Sequence, residues 1–362
     1  MRFSVRPGIV ALGLTGVLAG AAACGGSGDG KAAAEQSPPA SPYKASMLPA
    51  SYKIPDVELT GMDGRPYDLP KRTAGRTTLL FFGYTHCPDI CPTTMADAAG
   101  AMSLLSPEQR AKVQVVFVSA DPARDTPKAL KDFLGRFDKS FMGLTGPMKT
   151  IQRAAADAKV SITPPPENAK GNYLVSHGSN VMVYGPDGSG KLMFPYQFGS
   201  AGMAKDLKTL LGARGAAETA QTARPDGSAG SGRPSAPDPG GAAKAGITVS
   251  GARVRVPSTP DVTAGYLTIV NNGAPDTLTG ITTPAAGSAE MHRMDMNGSS
   301  MKMQRMMTVP VPKGTVAFSK GAMHLMLMKP RKLTEGQSVP LKLTFANAGE
   351  VTVTAKVVPA GS

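Results

Sequence analysis

The stretch TTLLFFGYTHCPDICPT, residues 77–93, decides the fold of the first part of the chain. Its residues 77–84 are apolar or β-branched and predict a buried strand, and residues 93–105 predict a helix. Cys87 and Cys91 therefore fall where a strand gives way to a helix. Four residues apart, their thiols share one face of a helical segment, and the amides of a helix N-terminus favour thiolates. This spacing is compatible with redox exchange, with metal binding and with an inert local disulfide.

Strands and helices alternate along the chain after this stretch. The sequence predicts strands at residues 113–120, 175–184 and 191–194, and helices at residues 147–158, 203–211 and from Thr126-Pro127 onward. Proline fits the first turn of a helix, which supports a helix start at Pro127. Such alternation is typical of an α/β sheet.

The composition limits the classes of function. A chain of 362 residues suggests about two domains. Aromatic residues make up only 5%, which leaves little for stacking on bases, so we expect no nucleic-acid partner. The net charge of +13 is dispersed and indicates a basic, solvated surface rather than a binding patch.

The N-terminus has the pattern of an export signal. Arg2 and Arg6 precede an apolar run that is too short to span a bilayer comfortably. The small residues before Cys24 resemble the processing site of bacterial lipoproteins, although Ala21 stands where leucine is common. We therefore predict a lipoprotein signal peptide at residues 1–24, acylation of Cys24 and a lipid anchor at the extracytoplasmic face of the cell membrane. The alternative is an ordinary signal-peptidase cut that leaves a free thiol.

Two segments are too poor in large apolar residues to form a core. Residues 25–46 are mostly Gly, Ala, Ser and Pro and predict a flexible tether. Residues 213–245 predict a flexible linker whose r.m.s. span is about 30 Å. The folded domains are then residues 47–212 and 246–362.

Three blocks of the first domain have the order and context of a known family. They are FFGYTHCPDICPT at residues 81–93, VSADPARDTP at residues 118–127 and YLVSH at residues 173–177. Together they resemble the Sco/SenC family of copper proteins.

The Sco/SenC resemblance implies a thioredoxin-like fold and a copper site. Cys87 and Cys91 would supply thiolates, and His177 an imidazole, to one copper ion, a set that suits Cu(I). Asp121 matches a family position near the site. His86, beside Cys87, either tunes the thiol or points away from it.

Half of the methionines lie in one stretch near the C-terminus. Ten of the 20 fall between Met291 and Met328, together with His292 and His324. Thioether sulfur is a soft, uncharged ligand that favours Cu(I), and imidazole suits copper in either oxidation state. A single methionine is more often core filler. The number and grouping here indicate a copper site.

Asn297-Gly298 predicts a hairpin turn within this stretch. If these two residues form the turn, His292 faces Met303 and Met294 faces Met301, all on one side of the hairpin. A four-residue loop would shift the pairing by two, so that His292 and Met303 become diagonal neighbours.

The rest of the second domain has the alternation of strands. Apolar and polar residues alternate at residues 341–345 and 351–353, which predicts a β-sandwich. At residues 323–328 the same period separates a face of His324 and two methionines from a face of two leucines.

The second domain resembles the PCu(A)C family of periplasmic copper chaperones. The matching ligands are His292, Met303, His324 and Met326, with 20 residues in the second gap, one fewer than the family pattern. The resemblance implies a cupredoxin-like β-sandwich with copper at these four residues. Because none of them is a thiolate, disulfide formation does not compete with copper binding outside the cell.

The remaining methionines of the stretch predict a relay surface for copper. They are Met294, Met296, Met301 and Met328.

Both families are associated with assembly of the dinuclear CuA centre of cytochrome c oxidase. We therefore predict an extracytoplasmic copper metallochaperone that binds Cu(I) or Cu(II) and supplies the CuA-bearing subunit. The C-terminal site would capture copper and the Cys87 and Cys91 site would deliver it. The alternatives are a thiol-disulfide oxidoreductase that uses Cys87 and Cys91 to reduce the oxidase cysteines, and a copper-scavenging protein.

Overall fold

The computed structural model describes residues 41–165, 173–215, 242–297 and 300–362. The predicted signal peptide, Cys24 and most of the predicted linker lie outside these residues. Within the described residues, no helix is both long and apolar enough to cross a membrane.

The first part of the chain, up to residue 215, forms an α/β domain. Its strands are β1 (Ser46–Met47), β2 (Glu58–Gly61), β3 (Pro66–Asp68), β4 (Thr77–Gly83), β5 (Val113–Ser119), β6 (Met142–Thr145), β7 (Ile162–Thr163), β8 (Ser176–Gly178), β9 (Val181–Tyr184) and β10 (Gly190–Phe194). Its helices are α1 (Leu69–Thr73), α2 (Ile90–Ser103), α3 (Pro107–Ala111), α4 (Pro127–Leu134), α5 (Met148–Asp157) and α6 (Ser200–Gly215).

Eight of these strands form one sheet, in the order β1-β10-β9-β4-β5-β6-β2-β3. Strands β4, β5 and β6 are parallel, and β9 runs antiparallel to β4. Every residue of β4 and β5 is buried, as expected of central strands that are covered on both faces. Along β4, Leu79 and Phe81 join one apolar core, and Leu80 and Phe82 join the other.

Helices cover both faces of this sheet. Helices α2, α4 and α6 contribute side chains such as Met95, Phe133 and Leu207 to the core on one face. Helix α5 covers the opposite face with Ile151 and Ala154. A sheet between two helical layers is the predicted thioredoxin-like α/β architecture, which the structure confirms.

Local sequence sets where the helices begin. The Thr126 side chain accepts a hydrogen bond from the Ala129 N–H at 3.2 Å, and Pro127 occupies the first position of α4. Helix α2 begins at Ile90 rather than at residue 93, so Cys91 lies in its first turn.

The single strand predicted at residues 175–184 is wrong. The structure divides this segment into β8 and β9, which belong to different sheets. Strand β9 continues the eight-stranded sheet, whereas β8 pairs with β7 and with a strand of the second domain. The chain therefore leaves one sheet for the other between Gly178 and Val181.

The second part of the chain is all β. Its strands are β11 (Ala242–Lys244), β12 (Ile247–Arg255), β13 (Val262–Asn271), β14 (Asp276–Thr282), β15 (Ala286–Asn297), β16 (Ser300–Met306), β17 (Val309–Val311), β18 (Gly314–Phe318), β19 (Met323–Pro330), β20 (Ser338–Phe345) and β21 (Gly349–Val358). Because α6 continues to Gly215 and β11 begins at Ala242, regular elements occupy both ends of the segment predicted as linker.

The strands of this domain enclose one apolar core. The sheet runs β17-β14-β20-β21-β12-β13-β19-β15-β16, and β18 also pairs with β13. Side chains from β12 to β15 and from β17 to β21 meet in the same cluster, so the sheet folds back over itself. Leu341, Leu343 and Phe345 point into the core between exposed or half-buried neighbours, as their alternation predicts. This is the predicted cupredoxin-like sandwich.

The hairpin of β15 and β16 has a register two residues away from the first expectation. His292 pairs with Arg305 and Met294 pairs with Met303, so the pairing of His292 with Met303 is wrong. Asn297 pairs with Ser300, and Gly298 of the predicted turn lies outside the described residues. The observed register is the alternative one, in which His292 and Met303 are diagonal neighbours. A shift of two keeps every side chain on its predicted face.

A continuous sheet joins the two domains. Strand β16 pairs with β8 of the α/β domain, with Met301 opposite His177 and Ser300 opposite Gly178. The methionine-rich hairpin is thereby hydrogen-bonded to the strand that carries His177.

A buried ion pair fastens the same two domains. Asp89, which lies between Cys87 and Cys91, accepts a hydrogen bond from Arg255 Nη1 at 2.9 Å. Asp89 also accepts from the Tyr266 hydroxyl at 2.6 Å and from the Gly321 N–H at 3.0 Å. Burial raises the Asp89 pKa, but the charges of His324 and Arg255 and these hydrogen bonds outweigh it, and the pKa lies below its ordinary value.

Replacing Arg255 with methionine should lower the stability of the chain by about 3 kcal/mol or more, since it leaves the Asp89 carboxylate buried without its counter-charge. Arg253→Met on the same strand is the matched control. Arg253 is only half-buried, and its Cζ lies 5.1 Å from the centroid of the Tyr266 ring. Its replacement should therefore lower the free energy of unfolding by less than about 1 kcal/mol. Urea unfolding compares the variants, and equal midpoints would contradict the role assigned to the ion pair.

Candidate metal centres

Cys87 and Cys91 lie side by side at the end of strand β4. Cys87 precedes helix α2, and Cys91 lies within its first turn. The Cys91 N–H donates to the Cys87 sulfur at 3.4 Å, and both thiols are free and buried. The inert local disulfide considered from the sequence is therefore not formed in this structure.

His177 completes a three-residue cluster with the two cysteines. Its Nδ1 lies 2.8 Å from the Gly178 carbonyl oxygen, and its Nε2 lies 3.4 Å from the Cys91 sulfur. The carbonyl can only accept, so Nδ1 donates to it, and Nε2, which faces the cysteines, is a ligand atom for a metal once it carries no proton. One ligand atom from each of Cys87, Cys91 and His177 lies within 4.8 Å of the others.

The two thiols differ in acidity. Burial raises the pKa of the Cys87 thiol, but hydrogen bonds from Cys91 and His177, with the charge of His177, outweigh it, and the pKa lies well below its ordinary value. Burial and the adjacent Cys87 raise the pKa of Cys91 well above its ordinary value. Of the two, Cys87 is therefore the thiol that loses its proton more readily, with Cys91 as its hydrogen-bond partner.

Two buried carboxylates hold the loops around this cluster. Asp125 accepts from the Thr85 backbone N–H and hydroxyl and from the Ser119 hydroxyl, which fixes the turn before Cys87. Asp121 accepts from Arg124 Nε and, at 2.8 Å, from the Tyr173 hydroxyl.

Asp121 therefore acts through the segment that leads to His177. Arg124, which Asp121 holds, also donates to the Tyr173 carbonyl oxygen at 3.0 Å. The sequence left the role of Asp121 open, and the structure gives it a positioning role.

His292 and His324 form a second cluster on adjacent strands. They are directly opposite in the pairing of β15 with β19, and their rings stack with centroids 6.2 Å apart. His292 Nε2 lies 2.9 Å from a Glu290 carboxylate oxygen, and His324 Nδ1 lies 3.2 Å from the Ala322 carbonyl oxygen. Each imidazole is thus oriented through one nitrogen.

The other nitrogen of each ring is buried without a partner. Within the described part of the chain, His292 Nδ1 and His324 Nε2 make no hydrogen bond. A buried polar atom left unsatisfied costs roughly 1–3 kcal/mol, which a bound metal would remove. Burial, chiefly, and the nearby His324 lower the pKa of His292, which favours the neutral imidazole that binds metals.

The two predicted methionine ligands lie in different cavities. Met326 lines a cavity of about 70 Å³ together with His292. Met303 lines a cavity of about 260 Å³ together with Cys87 and His177. The structure thus places His292, His324 and Met326 together, with Met303 toward the cysteine cluster.

The other predicted residues are placed as follows. His86 points away from the thiols: its Nδ1 contacts Thr85, and its Nε2 lies 2.9 Å from Asp261 of the second domain. Met294 lines the cavity of Cys87, and Met328 lines the cavity of His292.

The interdomain partners of Asp89 are residues that the sequence did not single out. Arg255, only 1% exposed, is the main one. An arginine in a β-rich segment is ordinarily a surface residue, so no local signal identifies it.

Comparisons with known proteins agree with both resemblances. Residues 48–212 match the SCO1/SenC family, and residues 247–357 match a family of lipoproteins described as LpqE-like. A protein of Stutzerimonas stutzeri whose name calls it copper-binding is 41% identical over 143 residues, which are 40% of this chain and 69% of that protein.

Two further similarities differ in how much of the matched protein they cover. Mitochondrial SCO2 of Saccharomyces cerevisiae is 36% identical over 132 residues, and the match spans 36% of this chain but only 43% of SCO2. The solved copper-bound PCuAC domain of PmoF2 is 24% identical with a TM-score of 0.29, covering 33% of this chain and 97% of that domain.

Replacing Gly83 with alanine should disturb the cysteine cluster. A Cβ atom at Gly83 would lie 2.8 Å from the Cys91 sulfur and 2.7 Å from the Phe81 ring. Such overpacking costs roughly 1–3 kcal/mol. Gly212→Ala is the control, because it lies in α6 with no atom within 4 Å and should stabilise the chain by roughly 0.5–1 kcal/mol. Thermal unfolding of both variants tests this, and an unchanged Gly83→Ala protein would show that the site tolerates movement.

Proposed function

Because this chain belongs to the SCO1/SenC family, we propose that it is an extracytoplasmic copper metallochaperone with two copper sites. The observation that carries the proposal is the buried cluster of Cys87, Cys91 and His177, whose ligand atoms lie within 4.8 Å of one another. Two soft thiolates and one imidazole suit Cu(I) at a low coordination number. Copper is the cargo of such a protein, and it enters and leaves through exchange of these ligands.

The site is preorganised for this cargo. His177 is fixed through Nδ1 and wedged edge-on against Phe81 and Tyr84, with ring centroids 5.8 and 5.7 Å away. Little side-chain freedom is left to lose on binding, which favours affinity. The apolar walls exclude hard, water-bound cations that would compete for the site.

The second site in this proposal is formed by His292, His324 and Met326. Two imidazole nitrogens and a thioether accommodate Cu(I), and imidazole also accepts Cu(II). None of the three is a thiolate, so oxidation of Cys87 and Cys91 to a disulfide leaves this site intact. The second site can therefore hold copper under conditions in which the first cannot.

The proposal also includes a recipient and a location. We propose the CuA-bearing subunit of cytochrome c oxidase as the recipient, because the resemblance of residues 48–212 to the Sco/SenC family implies this delivery. A lipid on Cys24 would hold the chain at the extracytoplasmic face of the membrane, beside that subunit.

Elemental analysis after anaerobic loading with Cu(I) tests the two sites. We expect two copper ions per wild-type chain, one in Cys87→Ser/Cys91→Ser and one in His292→Ala/His324→Ala, because the two ligand sets are separate. The matched control is His86→Ala, since His86 contacts Thr85 and Asp261 and should leave two ions bound. A wild-type chain without copper would refute the proposal.

A thiol-disulfide oxidoreductase is the second candidate, favoured by the unequal acidity of the two thiols. The Cys87 thiolate would attack a disulfide of the target, such as oxidised CuA-site cysteines, and release one target sulfur. Cys91 would then attack Cys87, release the second target sulfur with a proton, and leave Cys87 joined to Cys91. Two electrons pass to the target, and an external thiol must reduce the chain again.

Replacing Cys91 with serine should trap this reaction halfway. We expect a mixed disulfide between Cys87 and an oxidised target peptide, because no second thiol remains to resolve it. Cys87→Ser should form none, since the low-pKa thiol is missing. Mass spectrometry detects the adduct, and equal trapping by both variants, or by neither, would exclude the redox role.

A further inference from the structure

The hairpin of β15 and β16 extends from the histidine site to the cavity of the cysteine cluster. The face of β15 that carries His292 also carries Met294, and Met303 pairs with Met294 across the hairpin. Both methionines line the cavity of Cys87 and His177. Met294 is 7% exposed and belongs to the apolar core of the first domain, although it is part of the second.

Sheet pairing fixes these methionines relative to His177. Position 301 of β16 lies opposite His177 in β8, and paired residues of a sheet project to the same face. Met303 is two residues along β16 and therefore projects to the side of His177. Backbone hydrogen bonds, rather than flexible side chains, thus set the distance between the hairpin and the cysteine cluster.

Packing alone does not account for this arrangement. Methionine often fills irregular gaps in a core, but here a cavity of about 260 Å³ remains between Met294, Met303 and Cys87. A cavity needs only roughly 10–15 Å³ to hold one water molecule, so this space can admit a metal ion. Apart from His177, the polar groups of the described lining are a tyrosine, a threonine and a serine, which are hard ligands for Cu(I).

We propose that Cys87, Met294 and Met303 form a third, interdomain site for Cu(I), through which the ion passes between the histidine site and the cysteine cluster. This inference rests on the proposed copper chaperone function. One thiolate and two thioethers give a three-coordinate, all-sulfur site. Met303 is the shared residue, because it is also a diagonal neighbour of His292, within reach of a long side chain.

The hand-over is a ligand exchange without redox change. Bonds from copper to the imidazoles of His292 and His324 break, and bonds to Met303, Met294 and then Cys87 form. Any proton on the Cys87 thiol leaves to water, and copper remains Cu(I), so no electron donor or acceptor is needed. The ion stays bound to at least one protein sulfur throughout.

The interdomain site is tested in a full-length chain in which copper binding is weakened at both the cysteine cluster and the histidine site. The background carries Cys91→Ser and His324→Ala and is labelled with selenomethionine, so that thioether ligands are visible as selenium. After loading with one equivalent of Cu(I), we expect X-ray absorption at the copper edge to show copper–selenium scattering. Addition of Met294→Leu/Met303→Leu should remove the signal and weaken Cu(I) binding at least about tenfold in competition with a chromophoric chelator.

Met306→Leu in the same background is the matched control. Met306 belongs to the same hairpin but packs on the core of the second domain, and it should keep both the signal and the affinity. Leucine conserves the volume of methionine, so the fold should persist. Absence of copper–selenium scattering in the background itself overturns the inference without needing the double variant.

Persistence of the signal after Met294→Leu/Met303→Leu also overturns the inference, since another methionine would then be the ligand. If either of these results is obtained while the wild-type chain binds two copper ions, the proposed function stands and only the interdomain site is removed. A wild type that binds none would remove both.

Discussion

One buried charge governs how the two domains meet. Asp89 sits between the two cysteines, 0% exposed, and its partners in the second domain are Arg255, Tyr266 and the Gly321 amide. A carboxylate removed from water costs several kcal/mol unless it is paired and fully hydrogen-bonded. The first domain alone offers no comparable set of donors among its described residues. Docking of the second domain therefore supplies the hydrogen bonds and the counter-charge that the Asp89 carboxylate needs. The conformation of the loop that carries Cys87 and Cys91 depends on this docking.

This dependence links the two candidate centres physically. Asp89 is hydrogen-bonded to the Gly321 amide, in the turn before β19, and β19 carries His324 and Met326. On the other side, the hairpin of β15 and β16 is paired with the strand of His177. The two clusters thus belong to one hydrogen-bonded framework. Their separation is set by strand geometry, and under the proposed function this favours direct transfer over diffusion of the ion through water.

Local sequence rules predicted the parts of the structure that local forces determine. The strand and helix around Cys87, the capped start at Pro127 and the one-sided alternation at His324 all follow from periodicity and turn chemistry. Long-range contacts escaped prediction. The pairing of Asp89 with Arg255 joins residues 166 positions apart, and nothing local marks either one. The split of residues 175–184 arises because β8 has a partner, β16, from another domain.

The hairpin register shows why the cross-strand partner of a residue is harder to predict than the sheet face on which its side chain lies. A shift of two left every ligand on its predicted face but exchanged the partner of Met303 from His292 to Met294. That exchange places Met303 in the cavity of Cys87 and His177. Under the proposed function the order of ligand softness also gives a direction. Thiolates hold Cu(I) more firmly than imidazoles and thioethers, so copper should run from His292 toward Cys87 while the cysteines are reduced. Oxidation of Cys87 and Cys91 removes the thiolates, and the same path then retains copper at the histidine end.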